Sequence, residues 1–97
     1  MFEREFIGFV PDDFLDLYLD AMLRRLAETA PYDSSCHAEI ERTRGGYLAR
    51  LYVETINGAF RAECLASDPK LAYDLAEEQI FHQLAVWKKS RWAEEAA

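Results

Sequence analysis

Residues 36–66 read CHAEIERTRGGYLARLYVETINGAFRAECLA, and the polar and apolar residues in this stretch recur with a period of two. Cys36, Ala38 and Ile40 alternate with His37, Glu39 and Glu41 before Gly45-Gly46. Tyr47 to Ile56 forms a second extended run that ends at Asn57-Gly58, and Ala59 to Ala66 forms a third. Alternation of this kind predicts half-buried strands, and Gly-Gly or Asn-Gly supplies the positive φ angles of a two-residue hairpin turn. Each turn fixes a register, and both registers must send the same side chains of the middle strand to the core. With Gly45-Gly46 as the turn, Arg44 pairs with Tyr47 and Ile40 with Leu51. With Asn57-Gly58 as the turn, Ile56 pairs with Ala59 and Leu51 with Cys64. The two agree: Cys36, Ala38, Ile40, Ala49, Leu51, Val53, Phe60, Ala62 and Cys64 share one face. The other face then carries the rows His37, Glu54, Arg61; Glu39, Tyr52, Glu63; and Glu41, Arg50, Leu65.

Upstream of this meander, Glu3 to Phe9 reads as a further strand that stops at Val10-Pro11, because proline holds the preceding residue extended and cannot donate to a ladder. Asp12 is a good N-cap, Asp13 suits the positive end of a helix, and Leu15, Tyr18, Met22 and Leu26 follow at helical spacing. That helix should run to about Glu28, before Pro31. Downstream, Asp68-Pro69 is an N-cap with proline at the first helical position, and helical spacing continues to about Lys89 with a core face of Tyr73, Ala76, Ile80, Leu84 and Trp87. The order β-α-β-β-β-α predicts a two-layer α+β domain: a four-stranded mixed sheet, its first two strands parallel, with both helices on its apolar face. Residues 1–92 should form this single domain, and 93–97 a disordered C-terminal tail.

The chain has 97 residues, 51% of them hydrophobic, enough for one core and unlike a disordered chain. No apolar run approaches the length of a membrane helix, and the start lacks a signal peptide's pattern, so a cytoplasmic protein that does not enter the membrane is expected. Cys36 and Cys64 make no CxxC pair and should be two strands and four residues apart, too far for a disulfide. No cofactor and no metal are expected. His37 beside Glu54 is the only arrangement that suggests proton transfer, and with no nucleophile nearby it reads as a cross-strand contact, so no enzyme is expected. The formal net charge of −7 repels a phosphate backbone at long range.

The hairpin Val53-Glu54-Thr55-Ile56-Asn57-Gly58-Ala59-Phe60-Arg61-Ala62-Glu63-Cys64, with the helix Asp68-Pro69-Lys70-Leu71-Ala72-Tyr73-Asp74 running on through Ile80 and Leu84 to Lys88-Lys89, resembles the ribosome hibernation-promoting factor family, also called the sigma-modulation or ribosome-associated inhibitor family. The first half is similar in element order and length. The resemblance implies binding in the decoding region of the small ribosomal subunit, with repression of translation. The positions it carries over as RNA contacts are Lys88, Lys89 and Arg91 at the end of the last helix, Lys70 near its start, and Arg24 and Arg25 on the first helix. This chain is an acidic variant of that pattern, because Asp74, Glu77 and Glu78 stand where the family carries lysines. A second reading comes from the residues alone. Leu71, Leu75, His82 and Val86 form a stripe on the last helix opposite its core face, which suits a protein partner or a homodimer in an acidic interaction module that does not bind RNA.

Overall fold

A computed structural model describes residues 2–30, 33–56 and 58–96, with side chains described as far as Lys89. The elements are β1 (Phe2–Ile7), α1 (Asp13–Thr29), β2 (Ser35–Thr43), β3 (Gly46–Thr55), β4 (Gly58–Ala66) and α2 (Pro69–Ala96). The sheet order is β1-β2-β3-β4, with β1 parallel to β2 and the other neighbours antiparallel. This is the expected α+β domain.

Both hairpins are shifted by two residues from the expected register. Thr43 pairs with Gly46 and Thr55 with Gly58, so Ile40 lies opposite Ala49, Leu51 opposite Ala62 and Ala49 opposite Cys64. The glycines take their positive φ as the first residues of strands, Gly46 at 134° and Gly58 at 138°, and not inside the turns. In each hairpin the preceding threonine hydroxyl donates to the glycine carbonyl opposite, Thr43 to Gly46 at 3.1 Å and Thr55 to Gly58 at 2.9 Å. The first turn is therefore Arg44-Gly45, and the second hairpin closes at the Thr55–Gly58 pair; Asn57 lies outside the described residues. A shift of two preserves the side-chain alternation, so every predicted face is retained. Cys36, Ala38, Ile40, Ala49, Leu51, Val53 and Ala62 are buried, while Phe60 and Cys64 pack against them half-buried. What changes is the rows on the open face: His37, Tyr52, Arg61; Glu39, Arg50, Glu63; and Glu41, Leu48, Leu65. His37 does not lie beside Glu54.

Asp12 caps α1 by accepting from the Leu15 N–H at 2.7 Å. The buried face of this helix is Leu15, Leu19, Leu23 and Leu26, whereas the expected Tyr18 and Met22 are half-buried at its flank. The reason for the rotation is polar: the Tyr18 hydroxyl donates to Asp74 of α2, which holds its ring between the two helices. Asp68 caps α2 through the Leu71 N–H at 3.0 Å. Tyr73, Ala76, Ile80 and Leu84 are buried as expected, Ala72 and Glu77 join them, and Trp87 sits half-buried, edge-on to Phe60. Contacts of Gln79 with Cys64, Gln83 with Arg61 and Trp87 with Phe60 run α2 antiparallel to β4. The helix continues past its expected end near Lys89, and its backbone stays helical as far as Ala96, within the stretch 93–97 expected as a tail, where Ala and Glu include no helix breaker.

Candidate functional site

The cations carried over from the family resemblance fall into two groups. Lys70, Arg24 and Arg25 are each drawn into pairs within the fold. The Lys70 ammonium lies 3.0 Å from Asp74 and 4.6 Å from the centroid of the Tyr18 ring, and the Asp74 carboxylate raises its pKa above the ordinary lysine value. Arg25 meets Glu77 at 2.8 Å and covers Phe81, while Arg24 meets Asp20 at 3.0 Å and covers Phe2. Lys88 and Lys89 differ: both are exposed, and among the described residues neither has an ion-pair partner. The side chain of Arg91 lies outside the described residues. Lys70 and Lys88 are separated by about 27 Å along the helix, so the cations do not form one patch.

Of the acids Asp74, Glu77 and Glu78 on the last helix, the first two are consumed in the same way. Asp74 accepts from Tyr18 and Lys70, and Glu77, almost fully buried, accepts from the Tyr73 hydroxyl at 2.7 Å as well as from Arg25. Burial and the Glu77 carboxylate push the Tyr73 hydroxyl far above its ordinary pKa, and burial chiefly raises that of Tyr18. On the outer side of α1, Arg4 holds Asp16 at 2.7 Å and Asp20 at 3.1 Å, and its guanidinium keeps the Asp16 carboxyl below the usual range.

The open sheet face is a carboxylate field organised by Arg50, which reaches Glu39 at 2.8 Å, Glu41 at 3.1 Å and Glu63 at 3.5 Å. Beside it lies a depression of about 520 Å³ lined by Glu3, Ser35, Cys36, His37, Tyr52, Glu54 and Arg61. Burial raises the Cys36 thiol, the opposite of what an activated nucleophile needs. Arg61 lies over the Tyr52 ring at 5.6 Å. Arg42 and Arg44, at the β2–β3 turn, are exposed cations that the sequence reading passed over. The signal for them was their place beside a hairpin turn, where side chains stand clear of the sheet.

The second stripe on α2 is on the surface as expected. Leu71 is 47% exposed, Leu75 38% and Val86 54%, with His82 exposed among them. Leu75 and His82, with Glu78, Gln79 and Gln83, line a shallow groove of about 590 Å³.

No family model matches this chain, and no curated protein is similar to it in sequence. Among solved structures it is similar to the N-terminal domain of Protein Y from Thermus thermophilus, with a TM-score of 0.73 and 19% identity over 88% of this chain and 94% of that one. It is likewise similar to a ribosomal subunit interface protein from Coxiella burnetii, with a TM-score of 0.77 and 16% identity over 92% of this chain and 99% of that one. The fold of this chain, over nearly its whole length, is the fold of those two proteins.

Proposed function

We propose that this chain is a ribosome-associated protein of the cytoplasm that binds the small ribosomal subunit and modulates translation. The observation that carries the reading is the match over 92% of the chain to a protein named for the ribosomal subunit interface. The exposed pair Lys88 and Lys89 supports it, since cations not spent on internal acids are the ones left to meet phosphates. Co-sedimentation with purified small subunits across a salt series tests the proposal. Binding is expected to weaken steeply with salt, and a Lys88→Glu/Lys89→Glu variant should lower the slope of log affinity against log salt by about two, one unit per lost phosphate contact. No binding at low salt, or a variant that binds as the parent does, overturns it.

The exposed stripe on α2 favours a second reading, in which the domain pairs with a second copy through that helix and does not bind RNA. Sedimentation velocity of the free protein should then show a dimer that a Leu75→Glu change converts to monomer, since a charge placed at the centre of an apolar contact is left without a partner. A parent protein that is monomeric at high micromolar concentration removes this reading.

A further inference from the structure

The parallel pairing of β1 with β2 builds a set of donors that neither strand carries alone. Glu3 lies opposite His37 and Glu5 opposite Glu39, and alternation along both strands turns all four side chains to the open face. One donor atom each from Glu5, His37 and Glu39 lie within 4.8 Å of one another. A tetrahedral cation held at about 2.0–2.2 Å sets its donors about 3.3–3.6 Å apart, so the set closes only if rotation of the exposed Glu5 and the half-exposed His37 and Glu39 side chains draws the donors together by up to about 1.5 Å. Glu3 adds a further carboxylate oxygen 3.8 Å from Nδ1 of His37, within reach as a fourth ligand or as the group that orients the ring.

Two neighbours shape these donors. Arg50 fixes the Glu39 carboxylate through Oε2 at 2.8 Å, and Glu39 lies opposite Glu5 of β1. Because Arg50 also serves Glu41 and Glu63, its single charge does not offset the carboxylates of Glu3 and Glu5. The mixture of one imidazole with carboxylates, and no thiolate, suits a borderline divalent transition metal better than magnesium or calcium, which take oxygen ligands alone.

We infer that Glu5, His37 and Glu39, assisted by Glu3, form a surface site for a divalent transition metal ion of the zinc class. The site stands on the face of the sheet opposite the helices and is independent of the ribosome reading. Isothermal titration of the full chain with zinc chloride in a non-chelating buffer tests it. Saturable binding of about one ion per chain is expected, weakened at least tenfold by His37→Ala and by Glu5→Gln, with circular dichroism verifying that each variant is folded. Absence of saturable binding overturns the site, and so does a His37→Ala variant that binds as the parent does. An equal loss on His82→Ala, which removes the imidazole exposed on α2, would show zinc gathered by surface histidines in general and would also overturn it.

Discussion

Replacing Tyr73 by alanine is expected to cost about 3–5 kcal/mol of folding stability, measured by urea denaturation, a large share of what a domain of this size possesses. The side chain is 1% exposed, its ring meets that of Tyr18 edge-on at 6.4 Å, and its hydroxyl donates to the buried carboxylate of Glu77. Alanine would leave a cavity between α2 and the sheet and strip Glu77 of one donor. Tyr73→Phe separates the two losses, because the ring stays and Glu77 keeps Arg25; it should cost only about 1 kcal/mol. The same pair of variants carries a signature at high pH. Burial raises the Tyr73 hydroxyl well above its ordinary value of 10.0, so above that pH the unfolded chain has released a proton that the folded chain retains. The tyrosine contribution should therefore be intact below about pH 10 and be lost as pH rises beyond it, with Tyr18 adding in the same direction. Cys36, raised from 9.0 by burial, begins the decline slightly lower. Tyr73→Phe should flatten the limb above pH 10 and leave the contribution of Cys36 in place. A parent protein equally stable at pH 7 and pH 11 would contradict this account.

The parts of the fold that were legible in the sequence are those governed by local rules. Alternation from Cys36 to Ile40 and the Asp12 and Asp68 caps depend on neighbours a few positions away, and they appear in the structure as expected. The register was legible only modulo two, because glycine marks where a positive φ is needed without saying whether the turn or the first strand residue takes it. The core face of α1 was misjudged where an amphipathic residue offered two uses: Tyr18 has the spacing of a core residue, but its hydroxyl donates to Asp74, 56 positions away. The candidate site was less legible still, since charge counts do not reveal partners. Lys70, Arg24 and Arg25 read as available cations, and pairing across and along the helices consumes them. Glu5 and His37 are likewise brought together only by a parallel register, which requires α1 to carry the chain back across the sheet. The ion pairs are neutral and leave the net charge of −7 as it was, but they show which cations are left over: Lys70, Arg24 and Arg25 are matched by acids, while Lys88 and Lys89 stand exposed.

Gly46→Ala should destabilise the domain by about 3–5 kcal/mol, and Gly58→Ala supplies its internal control. Both residues open a strand, both pair with a threonine two-residue turn away, and both hold φ near +135°, where an L side chain costs about 1–3 kcal/mol. Alanine also restricts the unfolded chain alike at either position, so that effect cancels in the comparison. The surroundings differ. A Cβ at Gly58 meets nothing within 4 Å, whereas one at Gly46 would lie 2.4 Å from the carbonyl oxygen of Ala66 and 3.1 Å from its carbonyl carbon. Those atoms are backbone, at the end of the neighbouring strand and just before the Asp68 cap of α2, so they cannot swing aside as a flexible side chain would. Relief requires β4 to draw away from β3 at the point where the chain turns into the helix. The cost of such overpacking is about 1–3 kcal/mol beyond the backbone strain. Urea midpoints for the two variants should therefore differ, with Gly46→Ala the lower, and the gap between them measures the close approach of Ala66 free of the φ penalty. Equal midpoints would mean that β4 yields at its end without resistance, and the strain at the two glycines would then account for the whole effect.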